Sequence, residues 1–167
     1  MRKAFKSFFY IIACAAVFVV LINFYNKSFS SSTAAAFEWE KQVNVYFSNS
    51  KMGSDGDCSK VFPVSRTIIN AETLGPGSLE ALLKGPSDTE KESGYFTNLN
   101  EEILLQRFEI VNKVAYIDFN TRFNEGVGGS CRVMGIRAEI ENTLNSLPDI
   151  DATVISVGGQ TEGILEP

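Results

Sequence analysis

The chain has 167 residues, of which 44% are hydrophobic and 21% charged, and it contains no histidine. That length suits one domain with an accessory segment, and the missing histidine excludes a Ser-His-Asp triad, a Cys-His dyad and any histidine-ligated metal site. Four of the 15 basic residues and none of the 20 acidic ones lie in residues 1–36, so residues 37–167 hold 11 basic and 20 acidic residues, a net charge of −9. So acidic a domain is a poor binder of phosphate backbones, and no nucleic-acid partner is expected.

An apolar segment near the N-terminus predicts a membrane anchor. Residues 8–25 (FFYIIACAAVFVVLINFY) would form a helix about 27 Å long, close to the roughly 30 Å hydrocarbon core of a bilayer. Three basic residues precede the segment within the first six positions, and only Lys27 follows it closely. The positive-inside rule therefore predicts a cytoplasmic basic tail at residues 1–7, one transmembrane helix at residues 8–25 and export of the remaining chain.

Two other fates remain open for this segment. Ala34-Ala35-Ala36 would suit cleavage of a secretory signal, although this site lies far beyond the apolar run. Residues 11–14 (IIAC) resemble a lipobox, in which Cys14 would be acylated, but apolar residues continue after Cys14 where a hydrophilic tether is expected. An uncleaved anchor is the preferred interpretation.

A polar segment separates the anchor from the rest of the chain. Residues 26–36 (NKSFSSSTAAA) have no hydrophobic periodicity and predict a flexible tether with a reach of roughly 18 Å. Residues 37–167 then form an extracytoplasmic domain, with enough chain to bury a sizeable core.

The first half of this domain predicts two strands and a helix. Alternation predicts strands at residues 43–47 and 61–69, and Pro63 places the second at a sheet edge. Residues 78–84 (SLEALLK) predict a helix that Gly85-Pro86 ends. The spacing of Ser87 and Glu90 is that of a capping box and predicts one further helical turn.

The second half predicts a hairpin, a long helix and a last strand. Residues 103–110 and 114–119 flank Asn112-Lys113, which is typical of a tight β-turn. Apolar residues recur at intervals of three and four in residues 131–147, and Thr153 opens a final strand that runs to residue 157. The order β-β-α-β-β-α-β predicts an α+β fold, a two-layer sandwich of one mixed sheet with helices on one face.

A glycine-rich loop before the long helix is a candidate ligand or partner site. Gly126, Gly128, Gly129 and Ser130 lie where backbone N–H groups at a helix N-terminus can bind an anion. The competing interpretation is a mobile loop in which Ser130 caps the helix. No motif in the chain predicts a metal site or a cofactor.

Two carboxylates near this loop define the alternative of an enzyme that acts on wall glycan. Asp118 and Glu125 would supply a paired acid and base. Because Asp118 alternates with Ile117 and Phe119, it is by default a solvent-facing strand residue. The sequence therefore favours a protein without catalytic activity.

Two cysteines of the exported domain are candidates for a disulfide. Cys58 ends a polar loop and Cys131 begins the long helix, so both lie at element ends. The oxidising outer compartment favours the bridge, and the competing interpretation is two buried thiols that behave as small apolar residues.

The domain resembles the sporulation and spore germination domain, GerMN. The resemblance lies in seven segments that follow one another in order: VNVYF (43–47), FPVSRTI (62–68), LEALLKGP (79–86), GYFTNL (94–99), VAYIDFN (114–120), IENTLNSLPDI (140–150) and VISVGG (154–159). It implies a membrane-tethered domain outside the cytoplasmic membrane whose αββαβ portion is similar to ring-building motifs of membrane-associated complexes. It implies no catalytic residues.

These features together predict a single-pass membrane protein whose outer domain binds another envelope protein or a second copy of itself. The resemblance adds sporulation, germination or cell-wall processes as its setting. A small-ligand binding module that uses the glycine loop is a further alternative. An exposed sheet edge or helix face is the expected interface, with the strand at residues 61–69 as the first candidate.

The charge asymmetry around the anchor makes the topology testable. In intact cells, a cysteine introduced by Ser31→Cys should react with a thiol reagent that does not cross membranes, because the tether is expected outside the cytoplasm. The same substitution in a Cys14→Ala background removes the native thiol of the anchor as a source of labelling. Labelling that appears only after lysis would show that the domain is cytoplasmic.

Overall fold

The structure is a computed structural model that describes residues 17–19, 21–23, 40–53, 56–69 and 74–166. The chain divides into two units, Met1–Glu38 and Trp39–Pro167. Residues 17–19 and 21–23 of the first unit are helical, and no helix within the described ranges is long and apolar enough to cross a membrane. The predicted basic tail, tether and Cys14, and most of the predicted anchor, lie outside the described residues.

The second unit contains six strands and three α-helices within its described residues. In chain order the elements are β1 (Glu40–Asn49), β2 (Phe62–Ile69), α1 (Leu74–Leu83), α2 (Asp88–Glu92), β3 (Tyr95–Phe96), β4 (Leu105–Val111), β5 (Val114–Phe119), a 3-10 turn (Thr121–Phe123), α3 (Ser130–Asn145) and β6 (Ala152–Val157). The α+β class is confirmed. The observed order has two elements between α1 and β4: α2, which is the further helical turn predicted from Ser87 and Glu90, and β3, which was not predicted.

The strands form two sheets, so the prediction of one mixed sheet was wrong. One sheet has the order β2-β1-β3 and the other has the order β4-β5-β6. In the second sheet β4 and β5 are antiparallel, whereas β5 and β6 are parallel. The sheets stay separate because α3 closes part of the second edge of β1: the backbone N–H of Tyr46 donates to Thr143 Oγ1 at 3.0 Å. Because the Thr143 hydroxyl satisfies this N–H group, it is not available to pair with a strand of the other sheet.

The predicted edge position of β2 is confirmed. β2 pairs only with β1 among the described strands, and Pro63 lies opposite Tyr46 in that pairing. Proline has no N–H to donate, so a strand that contains it is suited to an edge.

The capping box predicted after α1 is confirmed. Ser87 is the N-cap of α2; its side chain accepts from the Glu90 N–H, and the Glu90 side chain accepts from the Ser87 N–H. The Glu90 carboxylate also accepts two hydrogen bonds from Arg66 of β2, each at 2.7 Å. These bonds lower the pKa of Glu90 to about 2. The cap thus also ties α2 to β2.

The predicted hairpin is confirmed and has a two-residue turn. Asn112 and Lys113 have positive φ values of 51° and 64°, as a type I′ turn requires. The turn sets Val111 opposite Val114. β4 begins at Leu105 rather than at residue 103. The N–H of Leu104 donates to the Asn120 side chain at 3.1 Å, and its carbonyl accepts from the Asn120 N–H at 3.1 Å.

The core lies between the helices and the inner faces of the two sheets. Alternate residues of β1 and β5 point inward and pack with one side of α1 and of α3; the completely or almost completely buried members are Val45, Phe47, Leu79, Leu82, Ala115, Ile117, Phe119, Ile136, Ile140 and Leu144. The same alternation turns Tyr116 and Asp118 to the opposite, outer face of the second sheet.

Helix α1 begins at Leu74, four residues earlier than the predicted start. Gly75 and Pro76 indicate a loop in sequence, but proline is well tolerated in the first turn of a helix. Gly75 is buried, and a Cβ atom placed on it would lie 2.2 Å from Cζ of Phe108 in β4. The absence of a side chain therefore lets the Phe108 ring pack directly against the helix backbone.

This close approach predicts that Gly75→Ala destabilises the domain. In an open helix the change would stabilise by about 1 kcal/mol, but here the added methyl group must displace the ring, and we expect a net loss of about 1–3 kcal/mol. Chemical denaturation followed by circular dichroism measures the free energy of unfolding. In the double variant with Phe108→Leu the two losses should not add, because the smaller side chain relieves the overlap. Additive losses would contradict the packing.

Candidate functional site

The predicted glycine loop opens α3, but its capping differs from the prediction. Gly129, with a φ of +86°, is the N-cap, and Ser130 is the first helical residue. The expectation that Ser130 caps the helix was wrong, because the backbone of Gly129 takes that position and no side chain caps the first turn. A Cβ atom on Gly126, Gly128 or Gly129 would meet nothing within 4 Å. The loop therefore borders open space and forms no close-fitting cradle.

One arginine side chain connects this loop to the rest of the domain through three hydrogen bonds. Arg132, in the first turn of α3, donates to the Gly126 carbonyl at 3.2 Å, to the Asn98 carbonyl at 3.1 Å and to Asn100 Oδ1 at 2.7 Å. The guanidinium thus joins the loop to the segment after β3. Three of its five N–H donors are engaged by the protein itself.

The predicted disulfide between Cys58 and Cys131 is present. The Cα atoms are 5.1 Å apart, within the range that a disulfide needs. The bridge joins the β1–β2 connection to the first turn of α3, next to the glycine loop. It therefore supports the start of the helix that carries most of the polar contacts described below.

The two predicted carboxylates belong to separate local networks. Asp118 accepts from Ser156 Oγ at 2.7 Å and from the Gly159 N–H at 2.8 Å, and these hydrogen bonds lower its pKa. Glu125 pairs with Arg122 at 2.6 Å within the loop that follows β5. The structure gives them no common partner, so the geometry of a paired acid and base is not formed.

A third carboxylate, which the sequence analysis missed, is fully buried. Glu139 of α3 has no exposed surface. Its Oε1 accepts from Ser48 Oγ at 3.1 Å and from the Asn98 N–H and Nδ2 at 3.1 and 2.9 Å, and its Oε2 accepts from Thr97 Oγ1 at 2.7 Å. Burial raises the pKa of Glu139, and the hydrogen bonds offset only part of that effect.

The environment of Glu139 is shaped by a glycine on the same helix. A Cβ atom on Gly135 would lie 2.5 Å from the Asn98 side-chain nitrogen, so the amide can approach α3 only because Gly135 has no side chain. A signal was available in the sequence: Ile136, Glu139, Ile140 and Thr143 share one helix face. A glutamate is rarely buried, however, so periodicity of apolar residues alone passes over it.

A shallow cleft lies beside the second edge of β1. Its volume is about 360 Å³, and it is bordered by strand residues, by Leu74 and by the end of α3: Lys41, Gln42, Val43, Asn44, Leu74, Ser146, Leu147 and Pro148. The lining contains no carboxylate, and within the described ranges no three acidic or cysteine side chains are grouped as a metal site. The cleft offers backbone groups and apolar surface rather than reactive chemistry.

Comparison with known proteins identifies a family. The family model described as Germane, sporulation and spore germination, matches residues 44–163. No curated protein matches the chain.

Solved structures supply relatives of the fold. The tandem GerMN domains of the sporulation protein GerM from Bacillus subtilis match with a TM-score of 0.60 and 23% identity, over 73% of this chain and 40% of that chain. A putative lipoprotein from Clostridium perfringens has a TM-score of 0.49 at 20% identity, over 75% of this chain and 80% of that one. The first GerMN domain of GerM has a TM-score of 0.49 at 14% identity, over 72% and 85%. The chain thus spans less than half of the tandem-domain structure, and that likeness shows the α+β fold.

The buried carboxylate makes stability depend on pH. Because the pKa of Glu139 is raised in the folded state, its contribution is fully present below the ordinary glutamate pKa of about 4.3 and is lost as pH rises through the raised value. The stability advantage of the unmodified protein over Glu139→Gln should therefore shrink as pH rises, since glutamine cannot ionise. Denaturant unfolding at a series of pH values measures this difference.

Two further variants separate charge from hydrogen bonding at this position. Glu139→Ala should lose about 1–3 kcal/mol or more at every pH, because it leaves buried donors without an acceptor. Glu101→Gln removes an exposed carboxylate and should leave the pH profile unchanged. A difference between the unmodified protein and Glu139→Gln that stays constant with pH would contradict the raised pKa.

Proposed function

The chain belongs to the sporulation and spore germination (Germane) family, and from that membership we propose that it is a membrane-anchored, extracytoplasmic protein-interaction module of the cell envelope. Its setting would be sporulation, germination or a related cell-wall process. The apolar segment at residues 8–25 and the basic residues before it support the anchor and its orientation. The polar tether at residues 26–36 would hold the domain near the membrane surface.

The observation that carries this proposal is the uncovered outer face of the second sheet. Val111, Val114, Tyr116 and Val154 lie side by side on that face in register, and we call them the outer patch. Val111 is 42% exposed and Tyr116 is 41% exposed. Both α1 and α3 pack on the opposite face, and no described helix covers the outer patch. Uncovered apolar groups on a sheet face are typical of surfaces that bind another protein.

The ionisable groups of the domain support binding rather than catalysis. Asp118 and Glu125 accept hydrogen bonds that hold loops in place, and Glu139 joins three segments of the chain without reaching solvent. Because a general acid or base needs access to a substrate proton, burial excludes Glu139 from that role. Asp118 and Glu125 reach solvent but share no partner among the described residues. The alternatives of a wall-glycan enzyme and of a small-ligand module at Gly126–Ser130 therefore have less support than a protein-interaction role.

Photo-crosslinking from the outer patch tests the proposal. The full-length protein carrying Tyr116→p-benzoylphenylalanine should, in its native membrane, form an adduct with another envelope protein or with a second copy, because the ring lies at the centre of the patch. The same crosslinker in place of Glu80, which is exposed on α1, is the matched control. Adducts are identified by mass spectrometry after affinity purification.

The enzyme alternative predicts instead that a carboxylate is required for hydrolysis of wall glycan. Asp118→Asn and Glu125→Gln should keep the adduct, since neither removes apolar contact surface, and circular dichroism verifies that each variant folds. Hydrolysis of wall glycan by the unmodified protein that disappears in either folded variant would overturn the binding role. An adduct pattern identical at positions 116 and 80 would also count against the outer patch.

A further inference from the structure

We propose that two copies of this chain pair edge to edge through β4, antiparallel and about a two-fold axis at Phe108, to join their second sheets into one continuous sheet. This inference rests on the proposed function and deepens it by naming one partner, a second copy of the same chain. Three observations carry it: β4 is a free edge, its outward backbone groups are suitably phased, and its charges are self-complementary.

The free edge of β4 has unpaired backbone groups at regular intervals. β4 is an end strand of its sheet and pairs only with β5 among the described strands. The two-residue turn makes Val111 and Val114 a hydrogen-bonded pair, so Glu109 and Arg107 also direct their backbone groups toward β5. The N–H and C=O groups of Phe108 and Ile110 therefore point away from the sheet, toward solvent.

The charges along this edge favour the register about Phe108. Arg107 and Glu109 flank Phe108 and lie on the outer face. Neither forms an ion pair within hydrogen-bond distance of a described residue, although Arg107 lies opposite Asp118 of β5 and attracts its carboxylate. When two strands pair antiparallel about Phe108, Arg107 of each copy lies opposite Glu109 of the other. Both contacts fall at non-hydrogen-bonded positions of the new pairing, where side chains of adjacent strands approach most closely. Opposite charges at such positions stabilise a strand pair.

The neighbouring symmetric registers are excluded by the same two residues. An axis at Arg107 would set the two arginines opposite each other, and an axis at Glu109 would do the same with the two glutamates. Like charges directly opposite one another destabilise a strand pair. Antiparallel pairing also requires hydrogen-bonded positions to meet each other, so no intermediate register exists between these.

The composition of β4 distinguishes it from β2, an end strand of the first sheet. β2 contains Pro63, which cannot donate to an added strand. β4 contains no proline, and its Ile110 is 39% exposed beside the free edge. The irregularity of β4 lies between Leu105 and Arg107, so the stretch from Arg107 to Val111 remains regular. Edge strands are the surfaces through which sheets extend between chains.

The area of such a contact is small, and the predicted anchor compensates for that. An edge pairing of this length falls well below the roughly 1,200–2,000 Å² of a standard interface. Two chains confined to one membrane and tethered at similar heights meet at a much higher effective concentration than in solution. A weak, symmetric and closed contact is therefore sufficient for pairing at the membrane surface.

A charge-exchange experiment on the full-length chain tests this pairing. Two copies with different affinity tags are produced in the same cells, crosslinked in the intact membrane, and assayed for capture of one tag with the other. Arg107→Glu in both copies, or Glu109→Arg in both copies, should reduce capture about tenfold or more, because every cross-strand pair becomes one of like charges. Arg107→Glu in one copy combined with Glu109→Arg in the other restores two opposite-charge pairs and should restore capture.

The mixed pair is its own control for folding, since recovery requires both variants to be folded. Lys84→Glu, an equal change of charge at an exposed position directly after α1, should leave capture unchanged. Capture that is insensitive to either single reversal, or that is not recovered in the mixed pair of folded variants, would overturn pairing through β4. If the two tagged copies do not capture each other while position 116 still crosslinks to a different envelope protein, self-association through β4 is wrong and the interaction role stands.

Discussion

The buried carboxylate of Glu139 is the contact on which the arrangement of the domain depends. It brings α3 against the end of β1 at Ser48 and against the segment after β3 at Thr97 and Asn98. Four hydrogen-bond donors converge on its two oxygens, and the same helix presents Thr143 to the Tyr46 N–H one turn later. A helix that offers polar groups to a strand edge in this way closes that edge without a further strand.

This closure explains why the domain has two small sheets and where its free surfaces lie. Since α3 and β3 together occupy part of the second edge of β1, the β4-β5 hairpin finds its partner in β6 and builds a separate sheet. α1 and α3 cover the inner face of that sheet, and its outer face and its β4 edge remain uncovered by described residues. The surfaces proposed for binding are therefore a consequence of how the polar face of α3 is used. The disulfide at Cys58 and Cys131 reinforces the N-terminal end of the same helix.

Several polar groups of the domain join segments that are distant in sequence. Arg66 and Glu90 form a two-point ion pair between β2 and α2, and Arg132 joins α3 to the chain after β3. Glu139 likewise accepts hydrogen bonds from Ser48, Thr97 and Asn98 and has no exposed surface.

Local patterns in the sequence determined the elements that depend on neighbouring residues alone. Asn112-Lys113 predicted the hairpin, Ser87 and Glu90 predicted the cap of α2, and Pro63 predicted an edge strand, because each acts over a few residues. The GerMN resemblance predicted the family, and two cysteines in a domain that was expected to be exported favoured the disulfide.

Only the tertiary structure decided the division into two sheets, the burial of Glu139 and the exposure of β4. Strand order depends on which edges are closed by distant residues, and here the deciding contacts join positions about a hundred residues apart, as between Tyr46 and Thr143. From periodicity alone, a glutamate is expected to face solvent. The pattern cannot show that folding brings the donors of Ser48, Thr97 and Asn98 to Glu139. The start of α1 also depends on a distant residue. Gly75 by itself indicates a loop, but in the fold it lies in the helix, where its lack of a side chain makes room for the Phe108 ring of β4.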